Sequence, residues 1–104
     1  MAQQKFSQKL ILELIVLKIL AANPQPGAQI LKKLQKIGLP TSEGTLYPLL
    51  ASLKSQKHVG QGYLEMNFGR AKKCYSLTIS GTQHLNKLKK DWRELERTIF
   101  RADH

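Results

Sequence analysis

The chain has 104 residues, with 17 lysines and arginines against 7 aspartates and glutamates (formal charge +10), and 41% of it is hydrophobic. That apolar share excludes a disordered tail, and the length implies one domain whose modest core would gain from pairing with a second copy. The single Cys74 excludes an internal disulfide framework and a cysteine-rich zinc site. The apolar runs near the N-terminus, broken by Glu13 and ended by Lys18, are too short to cross a bilayer and lack a signal-cleavage site, so a cytoplasmic location is expected. A surplus of positive charge points to a polyanion, either nucleic acid or an anionic membrane surface. Eleven cations against three acids lie up to Thr78, whereas six against four lie from Ile79 onward, so the front of the chain is expected to meet that polyanion.

The first predicted element is a helix over about Ser7 to Ala22, with Leu10, Ile11, Leu14, Ile15, Leu17 and Ile19 at helical spacing. Asn23-Pro24-Gln25-Pro26-Gly27 ends it. A second helix turns Ile30, Leu31, Leu34 and Ile37 inward and Lys32, Lys33 and Lys36 to solvent, with Gly38 as its cap and Leu39-Pro40 as a turn. The third begins near Thr41 or Ser42, either of which can be its N-cap, and buries Leu46, Leu49, Leu50 and Leu53. Pro48 fits a regular helix that starts late, near Gly44, because a mid-helix proline costs about 3 kcal/mol.

Beyond His58-Val59-Gly60 the pattern changes to a hairpin. Tyr63, Leu64, Met66 and Phe68 lead to the turn-like Asn67 and Gly69, Cys74-Tyr75-Ser76-Leu77 returns, and the tip carries Arg70, Lys72 and Lys73. Thr78 or Ser80 then caps a long final helix with Leu85, Leu88, Trp92, Leu95 and Ile99 spaced as an a/d seam, which suits packing on its twin in a dimer.

The fold class expected is therefore mainly α with a small β-hairpin: a winged helix-turn-helix followed by a long C-terminal dimerisation helix. Residues 1–78 form the DNA-binding part and residues 79–104 the dimerisation helix of one compact unit. In such a fold the third helix enters the major groove. It offers Ser42, Glu43, Thr45 and Tyr47, then Ser52 and Ser55, while Lys54, Lys57 and the wing cations neutralise phosphates. The helix has no arginine for a bidentate guanine contact, which leaves Arg70 of the wing as the only arginine ahead of the last helix.

Ser42-Glu43-Gly44-Thr45-Leu46-Tyr47-Pro48, followed by leucines, strongly resembles the recognition helix of the PadR family of bacterial transcriptional regulators, and Gly69 to Gly81 resembles that family's wing. The resemblance runs from about Leu10 to Trp92 and looks closest to the short members with one helix after the wing. It implies a cytoplasmic, nucleoid-associated repressor. Such a repressor is dimeric through its terminal helices (Leu10, Leu14, Leu85, Leu88, Trp92, Leu95 and Ile99 here) and binds a pseudo-palindromic double-stranded operator. Some members hold a planar aromatic effector between paired tryptophans of the last helix, where Trp92 falls. Three features depart from the family pattern: Gly27-Ala28-Gln29 lacks an aromatic, Lys72 replaces a wing arginine, and Cys74 replaces a tyrosine.

For several residues two readings stand. Trp92 is a dimer-core residue or a ligand platform. Tyr47 is a packed aromatic or a hydroxyl that touches DNA. Cys74 is a small hydrophobe or, beside Lys72 and Lys73, a redox sensor. His58, His84 and His104 lack ligand-like spacing, so no metal or other cofactor is expected, and no constellation of residues supports an enzyme. The rivals to a sequence-specific regulator are a general nucleic-acid binder and a protein-interaction module that use the same basic surface.

Overall fold

The computed structural model describes residues 6–65 and 69–103. Four helices and one antiparallel hairpin follow in chain order: α1 (Gln8–Ala22), α2 (Gly27–Lys36), α3 (Glu43–Ser55), β1 (Val59–Glu65), β2 (Ala71–Leu77) and α4 (Ile79–Ala102). The fold is the expected helical one with a small hairpin.

α1 starts where the Leu10 amide donates to the Ser7 hydroxyl at 3.2 Å, and stops at Asn23-Pro24. It buries Leu12, Leu14, Val16, Leu17, Ile19 and Leu20, which lie around much of its circumference, so it is the central post against which α4 and β2 pack. Leu10, Ile11 and Ile15 are only half-buried.

α2 ends in a Schellman turn: Leu39 N–H donates to the Leu34 carbonyl at 2.9 Å and Gly38 N–H to the Gln35 carbonyl at 3.2 Å, with Gly38 at φ 88°. This turn corrects the expectation for Ile37. The helix closes at Lys36, the chain reverses, and Ile37 is 49% exposed while Leu39 packs against the core.

α3 corrects the reading of Pro48. The helix begins at Glu43, one residue before Gly44, and runs through Pro48, which lies beyond the first turn and removes one helical hydrogen bond. Burial outweighs that cost: Leu46, Leu50 and Leu53 are fully buried and Leu49 nearly so, each contributing about 1.5–3 kcal/mol against about 3 kcal/mol for the proline. Its C-terminus repeats the Schellman pattern without glycine. Lys57 takes the left-handed position at φ 66°, and its carbonyl accepts from the Thr78 hydroxyl at 2.7 Å.

The hairpin is longer than expected, since β1 already begins at Val59. Its register pairs Tyr63 with Lys73, Leu64 with Lys72 and Glu65 with Ala71. Lys72 and Lys73 therefore stand within β2, not at the tip, and Arg70 just precedes the strand; Met66, Asn67 and Phe68 lie outside the described residues. At its base β2 also bridges to the α1–α2 link. Tyr75 N–H donates to the Gln25 carbonyl at 2.8 Å and Gln25 N–H to that of Tyr75 at 3.1 Å.

Thr78 caps α4 by accepting from the Gly81 amide at 2.9 Å. The predicted seam divides along this helix. Leu85 and Leu88, like Leu14 of α1, are inside the chain's own core, and Trp92 is half-buried against Phe6, ring centroids 5.4 Å apart at 81°. Further on Leu95 is half-buried and Ile99 is 58% exposed. No described helix is long and apolar enough to cross a membrane.

Candidate nucleic-acid interface

The geometry of α3 follows from its four leucines. With the side holding Leu46, Leu49, Leu50 and Leu53 fixed inward, the 3.6-residue period places Gly44, Pro48, Ala51 and Ser55 along the outward crest, and all four are exposed. Tyr47 and Lys54 lie on the flank toward α2 and the hairpin, and Thr45 and Ser52 on the flank toward α1. The crest carries small side chains, so a groove can approach the helix closely there, with the longer polar groups at its sides. Ala51 was not singled out in the sequence, although an exposed alanine methyl on this crest suits contact with a thymine methyl.

Ser42 is the N-cap residue, yet its hydroxyl accepts from no backbone amide and instead donates to the Thr45 hydroxyl at 3.2 Å. Glu43 occupies the first helical position, where a carboxylate is favoured by the helix dipole. Tyr47 is both packed and reachable. A Cβ at Gly27 would stand 2.7 Å from the Tyr47 ring, so the ring rests directly on the start of α2, while 37% of the residue stays exposed. The glycine that opens α2 thus belongs to the site, through a contact no spacing rule announces.

The hairpin separates its two lysines. Alternation places Gln61, Tyr63, Lys73 and Tyr75 on one face, and the Lys54 ammonium donates to the Gln61 side-chain carbonyl on that face. Lys73 therefore shares the α3 side, with its ammonium 6.0 Å from the centre of the Tyr75 ring. Tyr63, 73% exposed beside it, is a further surface group that sequence reasoning treated only as a strand residue. Lys72 points to the opposite face with Leu64 and Cys74; Cys74 is buried, its thiol 3.4 Å from the Lys72 carbonyl. Among the described residues no lysine or arginine is ion-paired with a carboxylate. On this geometry Lys73→Ala is expected to weaken duplex binding and lower the salt slope by about one, with Lys72→Ala changing it much less. Titrations at several salt concentrations check this, and equal losses would refute the facial assignment.

Two further clusters lie away from this face. Ile11, Leu14, Ile15, Lys18, Lys89, Trp92 and Arg93 line a cleft of about 340 Å³ between α1 and α4. His58 and His84, far apart in sequence, stack with ring centroids 4.3 Å apart.

The comparisons agree with this geometry. Residues 16–87 match the family described as transcriptional regulator PadR-like. The chain is similar to a PadR-like transcription factor from Bacteroides fragilis, with 34% identity over 91% of this chain and 92% of that one and a TM-score of 0.79. It also resembles a PadR-like transcriptional regulator from Bacillus cereus, with 29% identity over 92% of this chain and 96% of that one and a TM-score of 0.84. A Streptococcus transcriptional regulator at 23% identity shares the fold over 97% of this chain and all of its own, with a TM-score of 0.87. No curated protein matches the chain significantly. The leucine stripe of α3, a basic hairpin behind it, and a family match over most of the sequence lead to one conclusion: the chain belongs to the PadR-like family of transcriptional regulators.

Proposed function

We propose that this DNA-binding regulator acts as a homodimeric repressor that places two copies of α3 in successive major grooves of a pseudo-palindromic operator, about 34–36 Å apart. The observation that carries the reading is the convergence of Tyr47, Lys54 and Lys73 on one side of the molecule, around a small-residue crest, with no carboxylate among the described residues neutralising the lysines. Ser42, Glu43, Thr45 and Arg70 complete the proposed contact set, and Lys72, on the opposite face of the wing, contributes least to it.

Dimerisation is assigned to the part of the seam that the single chain leaves uncovered: Leu10, Trp92, Leu95 and Ile99. Leu14, Leu85 and Leu88 support that interface from beneath, since they are already buried. On this reading residues 79–104 serve as the dimerisation helix and residues 1–78 as the DNA-binding part of one unit. The Trp92 cleft is apolar at Ile11, Leu14 and Ile15, and suits a planar aromatic effector that shifts the two α3 helices out of register.

The test is fluorescence anisotropy with a labelled duplex from upstream of the protein's own gene, beside a scrambled duplex and a matching RNA. A preference of about 10³ for the native duplex is expected, with a loss of roughly 5–150-fold when a planar aromatic occupies the cleft. Equal, steeply salt-dependent binding to all three would reduce the surface to a non-specific electrostatic one.

A further inference from the structure

The connection between α3 and the wing is clamped onto the start of α4 by an unusual concentration of contacts. The Thr78 hydroxyl donates to the Lys57 carbonyl at 2.7 Å, and the Thr78 amide donates to the His58 carbonyl at 3.2 Å. Lys57 holds a left-handed conformation within this clamp. The His58 ring lies flat on the His84 ring of α4, 4.3 Å between centroids and 3° between planes, and its Nδ1 shares a hydrogen bond with the Ser80 hydroxyl at 2.9 Å. From α1, Glu13 accepts a hydrogen bond from His84 Nε2 at 3.1 Å. Three elements that set where α3 and the wing stand relative to α4 thus meet at two imidazoles and one carboxylate.

We propose that the His58–His84–Glu13 cluster is a pH-sensitive joint: a proton taken up by His58 opens it, releasing α3 and the wing from α4 and weakening operator binding. His84 Nε2 is already engaged with the Glu13 carboxylate at 3.1 Å. The proton goes to His58, whose ring lies flat on the His84 ring and whose Nδ1 is shared with the Ser80 hydroxyl. Of the charged or titratable groups on the elements packed around His58, α4 brings His84 and α1 brings Glu13. The hairpin base brings only the uncharged Val59 and Leu77, Lys54 is engaged with Gln61, and Lys57 is exposed. Desolvation first, then the neighbouring His84, hold His58 below the ordinary histidine range, with Glu13 and Ser80 opposing them. The native state therefore resists a proton on His58 more than the unfolded chain does. The stability that His58 contributes is intact above the ordinary histidine value and is lost as pH falls through the lowered one.

The functional half of this inference rests on the DNA-binding reading, and the joint itself does not. Histidine ring signals and the Thr78 amide of the free protein are followed by NMR from about pH 7.5 to about pH 5, in the intact chain and in His58→Gln, with His84→Gln as a second variant. Operator affinity is measured over the same range at constant ionic strength. The expected result is loss of Thr78 amide protection as His58 takes up its proton. With it should come about a tenfold loss of affinity in the intact chain, against less than about twofold in His58→Gln, from equal values at neutral pH. Thr78 protection unchanged while His58 titrates overturns the joint whether or not DNA binds. Parallel affinity curves for the intact chain and His58→Gln overturn the link to operator binding. A chain that binds no duplex at any pH overturns the DNA reading and with it that link, and the free-protein signals then decide the joint alone.

Discussion

Gly81→Ala is expected to destabilise the protein by about 3 kcal/mol, lowering the thermal midpoint by roughly 12–24 °C. The sign runs against helix propensity, which favours alanine over glycine by about 1 kcal/mol within a helix. Gly81 is the third residue of α4, and its amide caps onto Thr78. A Cβ there would stand 1.9 Å from the His58 carbonyl oxygen and 2.8 Å from a Leu77 methyl carbon. The first of these neighbours is backbone and is held by the Thr78 amide at 3.2 Å, so it cannot swing aside as a side-chain tip would. The substitution must therefore prise the α3–wing connection off α4 or shift the first turn of α4. Gly44→Ala is the matched control. Its Cβ would meet only the Ser42 hydroxyl at an ordinary 3.7 Å, so that change is expected to leave stability unaltered or raise it by up to about 1 kcal/mol. Denaturant unfolding of the two variants beside the parent checks both signs. A loss below about 1 kcal/mol at Gly81 would mean that the loop and the helix separate at little cost.

What could be read from the sequence follows the range of the interactions involved. The leucines of α3 and the Gly38 cap rest on spacing within one or two turns, and the structure keeps them; of the α4 seam, packing against α1 takes Leu85 and Leu88 into the chain's own core. Ile37 and Pro48 were misjudged where two local signals competed. A helical stripe lost to the turn at Gly38 in the first case, and a proline penalty lost to four buried leucines in the second. The relation of Lys72 to Lys73 was beyond reach because alternation assigns a face only once the strand register is known. The Tyr47–Gly27 contact and the His58–His84 stack join elements that are distant in the chain, and neither leaves a periodic mark in the sequence. Gly81 was visible only as a letter in a family motif; the close approach of the His58 carbonyl is its physical reason.

Tyr47→Ala is expected to weaken binding to the native operator by roughly 5–150-fold, corresponding to about 1–3 kcal/mol, while binding to scrambled DNA falls much less. The residue sits on the flank of α3 that faces α2, its ring seated on Gly27 and about a third of it exposed (37%), so removing it deletes a positioned aromatic hydroxyl without opening the core. Two companions separate the roles that one side chain combines. Tyr47→Phe keeps the ring on Gly27 and removes the hydroxyl: a loss equal to that of alanine assigns the effect to a hydrogen bond with DNA, and near-parent affinity assigns it to the packing of the ring. Gly27→Ala touches no proposed DNA-contacting atom, yet its Cβ would enter the ring's space at 2.7 Å. The ring is a movable side chain, so it should swing outward at modest cost in stability and carry its hydroxyl off position. Operator affinity should then fall toward that of Tyr47→Ala while the unfolding midpoint moves by only a few degrees, about 1 kcal/mol or less. A Gly27→Ala protein that binds the operator as tightly as the parent would mean that Tyr47 reads nothing from its seat on α2, and sequence recognition would then fall to Thr45, Ala51 and the wing.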